Sequence, residues 1–495
     1  MGQFHVLSPD SLLCHVERFN AADEEDVVNL IPNADSARWM VENVPRFECP
    51  DPDITRTYWY RWWTYRKHIK ATPAGTIVTE FIRPVGHAGS YNSISCALGH
   101  HLAEGRWLRD QRFLDEYTRF WFRMDNGKPE PKFHNYSSWA AAAIYDRMLA
   151  TGDATLALDL LDDLVADYAA WEAERLRPDG LFWQYDVRDG MEESISGSRK
   201  HRNARPTINS YMYANAMSIS HFAHRAGRED VEETHLAKGV ALKQLVQERL
   251  WDDAAQFFKA QTDEGSLCDA REAIGFIPWC FGLPDRGYEV AWKHLADPDG
   301  FWAPCGITTA ERRHPRFRSH GVGKCEWDGA VWPFATSQTL VALANVLRDK
   351  EQPYVTRADY LEAMRIYARC HQRKGQPYIG EYLDEKTGEW LKGDNPRSRY
   401  YNHSTFADLV ITGLAGLRPR AGDLIEVDPL LPADRWDWFC VDGVPYHGRH
   451  VTILWDRTGQ RYGRDAGLSV LVNGRRVAHL PSLGSVTGAV NEPRA

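Results

Sequence analysis

Residues 157–177 read ALDLLDDLVADYAAWEAERLR. Leu158, Leu161, Val165, Tyr168 and Trp171 recur there in steps of three and four, with charged residues between them, which is the pattern of an amphipathic helix. Working outward, comparable apolar periodicity appears at 54–71, 92–106, 109–125, 137–151, 208–227, 231–251, 269–283, 285–297, 329–348, 356–373 and 404–416. That makes twelve helical segments in series. Thr356 with Asp359 reads as a capping arrangement, Gly152 and Gly227 as stops, and Pro206 and Pro284 as first-turn prolines. Short connections alternate with long ones, which predicts six antiparallel pairs. No fixed-period consensus is present, so the expected architecture is a closed (α/α)6 toroid rather than a solenoid.

The ends differ in texture. Residues 1–53 are mixed and polar, with prolines at 32, 45 and 50, and read as an irregular N-terminal arm. The toroid is expected over 54–420. Beyond Pro419 short alternating runs take over, among them Val451–Trp455 and Leu468–Val472, the latter meeting Asn473–Gly474, a strong hairpin signal. A small β appendage with a tail is therefore expected over 421–495.

The chain has 495 residues, a formal charge of -9 from 59 basic and 68 acidic side chains, and a globular composition. No basic surplus exists to hold a phosphodiester backbone or an anionic membrane, so nucleic acid and membrane are not expected as partners. No basic and apolar leader opens the sequence, no run of about 18 apolar residues occurs, and the nine cysteines are scattered without a C-x-x-C pair. The expectation is reduced thiols and a cytoplasmic location, or a periplasmic or secreted one if a signal was removed. Oligomeric state is not readable.

The 19 Trp, 21 Tyr and 19 Phe lie largely in polar, Gly-rich connections. Rings that cover C–H groups beside donors and acceptors that orient hydroxyls suit a sugar. Two long loops combine rings, glycine and acids. Residues 178–206 contain Trp183, Tyr185, Asp186, Asp189, Glu192 and Glu193; residues 375–403 contain Tyr378, Glu381, Tyr382, Asp384, Glu385, Glu389 and Trp390. Facing each other across a mouth, they would supply the two carboxyls that glycosidic cleavage needs, one to protonate the departing oxygen and one to activate water or attack the anomeric carbon. A third stretch, CEWDGAVWPFATSQTLVALANVL from Cys325, sets Glu326, Trp327 and Asp328 ahead of a helix start near Val331 or Pro333. A fourth, TYWYRWWTYRKHIK from Thr57, crowds Trp59, Trp62, Trp63 and Arg66 onto one helix, more rings than one stripe can bury. Arg61 and Arg66 could meet substrate there or serve helix packing. Gly99–His100–His101 with Glu104 lacks metal-ligand spacing, and no phosphate loop, serine elbow or dinucleotide fingerprint occurs, so neither metal nor cofactor is expected.

The order of D-G-M-E-E-S-I-S-G at 189–197, N-S-Y-M-Y-A-N at 209–215, W-D-G-A-V-W-P at 327–333, G-E-Y-L-D-E-K-T-G-E at 380–389 and Y-N-H-S-T-F-A-D-L-V at 401–410 resembles the six-hairpin glycosidases of the mannosylglycerate hydrolase and processing α-glucosidase group. N-A-D-S-A-R-W at 33–39 and R-W-W-T-Y-R-K-H-I-K at 61–70 are also similar to a bacterial subgroup near the β-L-arabinofuranosidase family of this fold. The first resemblance implies that Glu192, on the family's G-M-D, is the general acid and that Glu381 is the general base, with inversion at the anomeric carbon and carboxyls about 6.5–9.5 Å apart. Glu stands where the family has Asp, which leaves Asp189 and Glu193 as alternatives. Ala330 replaces a proline and Asp328 an arginine, which implies a changed sugar subsite. Trp183, Tyr185, Glu193, Trp327, Asp328, Trp332, Tyr382, Trp63 and Arg66 are the expected substrate-binding residues.

The reading is an exo-acting glycoside hydrolase on an oligosaccharide or glycoside. Two alternatives are a polysaccharide lyase on the same toroid, using His403 or Tyr401 with Arg399, and a non-catalytic carbohydrate-binding protein.

Overall fold

The computed structural model describes residues 4–124, 126–321 and 325–491. Asp125, the end of the 109–125 segment, and 492–495, the end of the tail, lie outside the described residues.

Six inner elements pack side by side and close a ring: Leu98–Gly105, Ala140–Thr151, Pro206–Ala226, Ala273–Phe281, Pro333–Asp349 and Phe406–Leu414, the last contacting the first. Pro52–His68, Arg112–Arg123, Leu161–Arg175, Glu229–Arg249, Tyr288–His294 and Arg357–Cys370 form the outer layer. This is the (α/α)6 toroid. Inner helices are buried nearly all round, as Pro206–Ala226 is, while outer ones such as Glu229–Arg249 bury only a stripe. Several ends are set by the expected residues. Thr356 and Asp359 form a reciprocal capping box, Gly152 and Gly227 close their helices in the left-handed region, and Pro206 stands in a first turn.

Local structure departs from the periodicity in several places. The 157–177 segment breaks at Leu160 into Thr155–Asp159 and Leu161–Arg175, so Leu158 is 37% exposed and Leu164 is buried in place of Val165. Segments 269–283 and 285–297 are 3₁₀ rather than α. Pro278 removes a donor from the first, and Gly275 is pressed so close to Phe257 and the Phe258 carbonyl that a Cβ there would lie 2.3 Å from both. Pro284 precedes a turn instead of opening a helix. Segment 404–416 begins as a short α-helix, Phe406–Asp408, and continues as a π-helix, Leu409–Leu414.

The N-terminal arm is not irregular. It contains helices Asp10–Ala21 and Asn33–Asn43, and Arg46–Glu48 pairs antiparallel with Trp438–Tyr446 as the first strand of the C-terminal sheet. The polar pattern of 1–50 hid this because both helices lay only a narrow stripe, such as Leu12, Val16 and Phe19, on the outside of the ring. The sheet continues through Arg449–Asp456, Gly467–Val472 and Arg475–Leu480. Asn473 and Gly474, with φ of 47° and 80°, make the tight turn between the last two strands. Among the described residues, no helix is long and apolar enough to cross a membrane.

Candidate active site

The long loops meet above the inner ring. In the first, Gly190 (φ +71°) and Glu193 (φ 67°) bracket Met191–Glu192 in left-handed backbone, a strained conformation for glutamate. Asp186 pins the turn by accepting from the Glu193 amide at 3.1 Å, and Glu272 holds the far side through the amides of Ile195 and Ser196. The Trp327 amide donates to the Glu192 carbonyl at 3.4 Å, which ties this loop to the Cys325 segment. Burial pushes the Glu192 carboxyl up to about 7, reinforced by the charges of Asp186 and Glu381 and opposed by a backbone hydrogen bond and Lys392.

Glu381 stands on the second loop, 3% exposed. Lys392 Nζ lies 3.0 Å from one of its oxygens and Arg397 Nε 3.6 Å from the other. The loop is fixed by the Leu383 pairings to Val331 and Trp390, and by Trp390 Nε1 donating to the Cys370 and Gln372 carbonyls. Sequence reading passed over Lys392 and Arg397, although both lie in the quoted loop.

Trp332 is the N-cap of the inner helix Pro333–Asp349. Trp327, Trp332 and Tyr382 form a continuous stack, with centroids 4.6 and 4.7 Å apart and planes within 23°. Phe334 and His403 close the stack from below. Among the described residues, Trp327 Nε1, Trp332 Nε1, the Tyr382 hydroxyl and Glu381 Oε1 are buried without a hydrogen-bond partner. Such groups are costly unless something else satisfies them. Asp328 is wholly buried, its Oδ2 held by His320 Nδ1 at 2.8 Å and its Oδ1 without a hydrogen bond.

Other expected site residues go elsewhere. Asp189 is wholly enclosed in an ion pair with Arg205 at 2.6 Å and a hydrogen bond from Ser137 at 2.7 Å. Asp189→Ala would remove the carboxylate paired with the buried Arg205 and leave it only the more distant charges of Glu272 and Asp186, so we expect a loss of about 3 kcal/mol in chemical denaturation; a loss under about 1 kcal/mol would show that the pair does not hold the loop. Glu193 turns to Arg199 at 3.2 Å and His320 at 3.3 Å. Trp183 has Arg175 and Arg202 over its ring and Tyr185 at its edge, so protein groups use its surface. Trp63 stacks on Tyr60, donates to Asn20 and lines a separate cavity of about 450 Å³, and Arg66 binds the Ile31 carbonyl and Asn33. These last two anchor the N-terminal helices, a use invisible while 1–53 read as irregular. Arg61 is also enclosed, donating to Thr64 and Asn402.

One acid was missed. Glu80, after the strand Gly75–Val78, is 2% exposed and carries a carboxyl that senses both Glu192 and Glu381. It stands in T-E-F-I-R-P, with no ring-and-glycine loop to flag it. Among the described residues, no group of histidine, cysteine and acidic side chains is arranged to hold a metal ion.

A family model of the glycosyl hydrolase family 65 C-terminal domain matches residues 417–479. A solved chain named "Sialidase" is 50% identical with a TM-score of 0.96; the match covers 97% of this chain and 45% of that one, so this chain spans less than half the length of that relative. The GH63 mannosylglycerate hydrolase from Thermus thermophilus, in complex with Tris and D-glycerate, matches at 14% identity and TM-score 0.53 over 71% of this chain and 98% of its own. The GH78 family rhamnosidase of a Bacillus species matches at 13% identity and TM-score 0.59 over 86% of this chain and 41% of its own. At such identities these two speak to the fold alone. The mannosylglycerate hydrolase MGH1-like glycoside hydrolase domain model matches residues 90–404, which takes in most of the toroid and both acid-bearing loops, and this chain belongs to that family.

Proposed function

We propose that this chain is an exo-acting glycoside hydrolase that inverts the anomeric centre, with Glu192 as general acid and Glu381 as general base. The observation that carries the reading is that environment separates the two carboxyls. Burial and nearby acids favour the protonated form of Glu192, while the oxygens of Glu381 face Lys392 and Arg397. A carboxyl kept protonated near one that faces two cations divides acid from base. Glu192 O–H would give its proton to the glycosidic oxygen as the bond to the anomeric carbon breaks. Glu381 would take a proton from a water whose oxygen forms the new bond on the opposite face. The products are the free sugar and the departing alcohol, and proton exchange with solvent restores both acids.

The stack of Trp327, Trp332 and Tyr382, whose ring N–H and O–H groups have no protein partner among the described residues, offers a sugar donors beside apolar ring edges. The lyase alternative loses its cation, since Arg399 turns to Asp23 at 3.7 Å and the Ala22 carbonyl.

The direct test is a panel of nitrophenyl and methylumbelliferyl glycosides that includes furanosides, α-mannosides and α-sialosides, with the first-formed anomer read by proton NMR. Release of sugar in inverted configuration is expected. Failure of the folded protein to hydrolyse any of them would overturn the reading, and a retained anomer would overturn inversion.

Because Glu192 acts protonated and its ionisation lies at about 7, kcat/KM should fall as pH rises through that value. A profile flat to pH 9 would remove Glu192 from the acid role.

A further inference from the structure

Glu80 is as withdrawn as Glu381, and its neighbours place it between the two acids. Its carbonyl accepts from the Asn402 amide at 2.9 Å, joining it to the Tyr401–His403 segment. Its carboxyl is bonded by the Tyr401 side chain, lies 3.9 Å from Cys96 Sγ through both oxygens, and lies 3.9 Å from His403 Nδ1. Cys96 sits against Gly190 on the Glu192 loop, where an added Cβ would come 3.3 Å from the sulfur. His403 packs edge-on against Trp332, which stacks on Tyr382 beside Glu381.

Glu381 has Lys392 and Arg397. Among the described residues, Glu80 has no lysine or arginine within ion-pair distance. Burial, with the charges of Glu381 and Glu192, pushes its carboxyl up to about 8, so it is neutral at pH 7. A neutral carboxyl has one O–H to donate. The Tyr401 phenol is itself a donor here, held far above its ordinary ionisation, the Cys96 thiol donates toward both carboxyl oxygens at 3.9 Å, and His403 Nδ1 is beyond hydrogen-bond distance. Among the described residues, the proton has no strong protein acceptor in reach.

We propose that Glu80 is a third acid of this pocket, which donates its carboxyl O–H to an oxygen of the sugar held between Glu192 and Glu381 and so determines which sugar fits. This rests on the glycosidase reading above. Binding through that proton makes affinity depend on pH. Besides the two other carboxyls, Glu80 faces Cys96, Tyr401 and His403, and its charge also reaches Tyr117 and Tyr136. Burial holds the thiol and the phenols protonated and His403 neutral.

The test uses Glu80→Gln and Glu80→Ala in the full chain, on the glycoside the wild type hydrolyses best. Wild-type KM should rise about tenfold or more as pH passes through about 8, and KM of Glu80→Gln should not. At pH 6.5, Glu80→Ala should lose roughly 10- to 100-fold in kcat/KM, and Glu80→Gln, whose amide still donates, should recover most of it. Removing one particular sugar hydroxyl should cost the wild type about tenfold or more and cost Glu80→Ala little. If Glu80→Ala does not fold, the KM profile of Glu80→Gln decides. A wild-type KM without pH dependence near 8, or identical deoxy-sugar discrimination in wild type and Glu80→Ala, overturns the proposal while leaving the glycosidase reading standing. A wild type inactive on every glycoside overturns both.

Discussion

Glu381→Gln should lower kcat by about 10³- to 10⁴-fold while leaving the fold intact. The amide matches the carboxylate in shape, so the stack of Trp327, Trp332 and Tyr382 and the loop pairing through Leu383 stay as they are. What is lost is the only proton acceptor proposed for the attacking water, and water alone is a weak nucleophile toward an acetal. Lys392 and Arg397 would then face an amide, but both reach solvent, with side chains 12% and 35% exposed, so hydration offsets most of the lost pairing. The checks are single-turnover kinetics and circular dichroism. A variant within about tenfold of wild type would take Glu381 out of the mechanism.

Glu192→Gln should behave differently, because its effect scales with how much help the leaving group needs. For an alkyl glycoside the expected loss is about 10³- to 10⁴-fold; for a dinitrophenyl glycoside, whose phenolate departs without protonation, it should shrink to roughly tenfold. The fall in kcat/KM near pH 7 should disappear with the carboxyl, leaving only the one that Glu80 sets near pH 8. An equal loss on both substrates would mean that the side chain only shapes the pocket.

The sequence displayed the two proposed acids for a physical reason. Loops that place acids beside rings and turn sharply stand out in composition, which marked both segments, while the choice of Glu192 and Glu381 among their acids came from the resemblance of Gly190–Met191–Glu192 and Gly380–Glu381–Tyr382 to the family's motifs. Trp327, Trp332 and Tyr382 were legible in the same way, and the structure stacks them together. Trp183, Trp63 and Arg66 looked identical by that criterion and went elsewhere, since a ring in a polar loop does not reveal that Arg175 and Arg202 cover it, nor that an N-terminal helix waits for it. Asp189 and Glu192 are three residues apart with the same charge. Only the left-handed turn at Gly190 sends one inward to Arg205 and leaves the other at the pocket.

From sequence alone, the repeating apolar spacing determined twelve paired segments and hence the ring, because helical amphipathicity is a local property that each segment writes for itself. Tertiary structure decided what depends on contacts across the chain: the close approach of Phe257 to Gly275 in the 3₁₀ segment 273–281, the strand that 46–48 lends to residues 438–446, and the burial of Glu80 where it senses acids more than a hundred and three hundred residues away. A carboxyl's protonation is set by what surrounds it in space, and that surrounding exists only once the ring has closed.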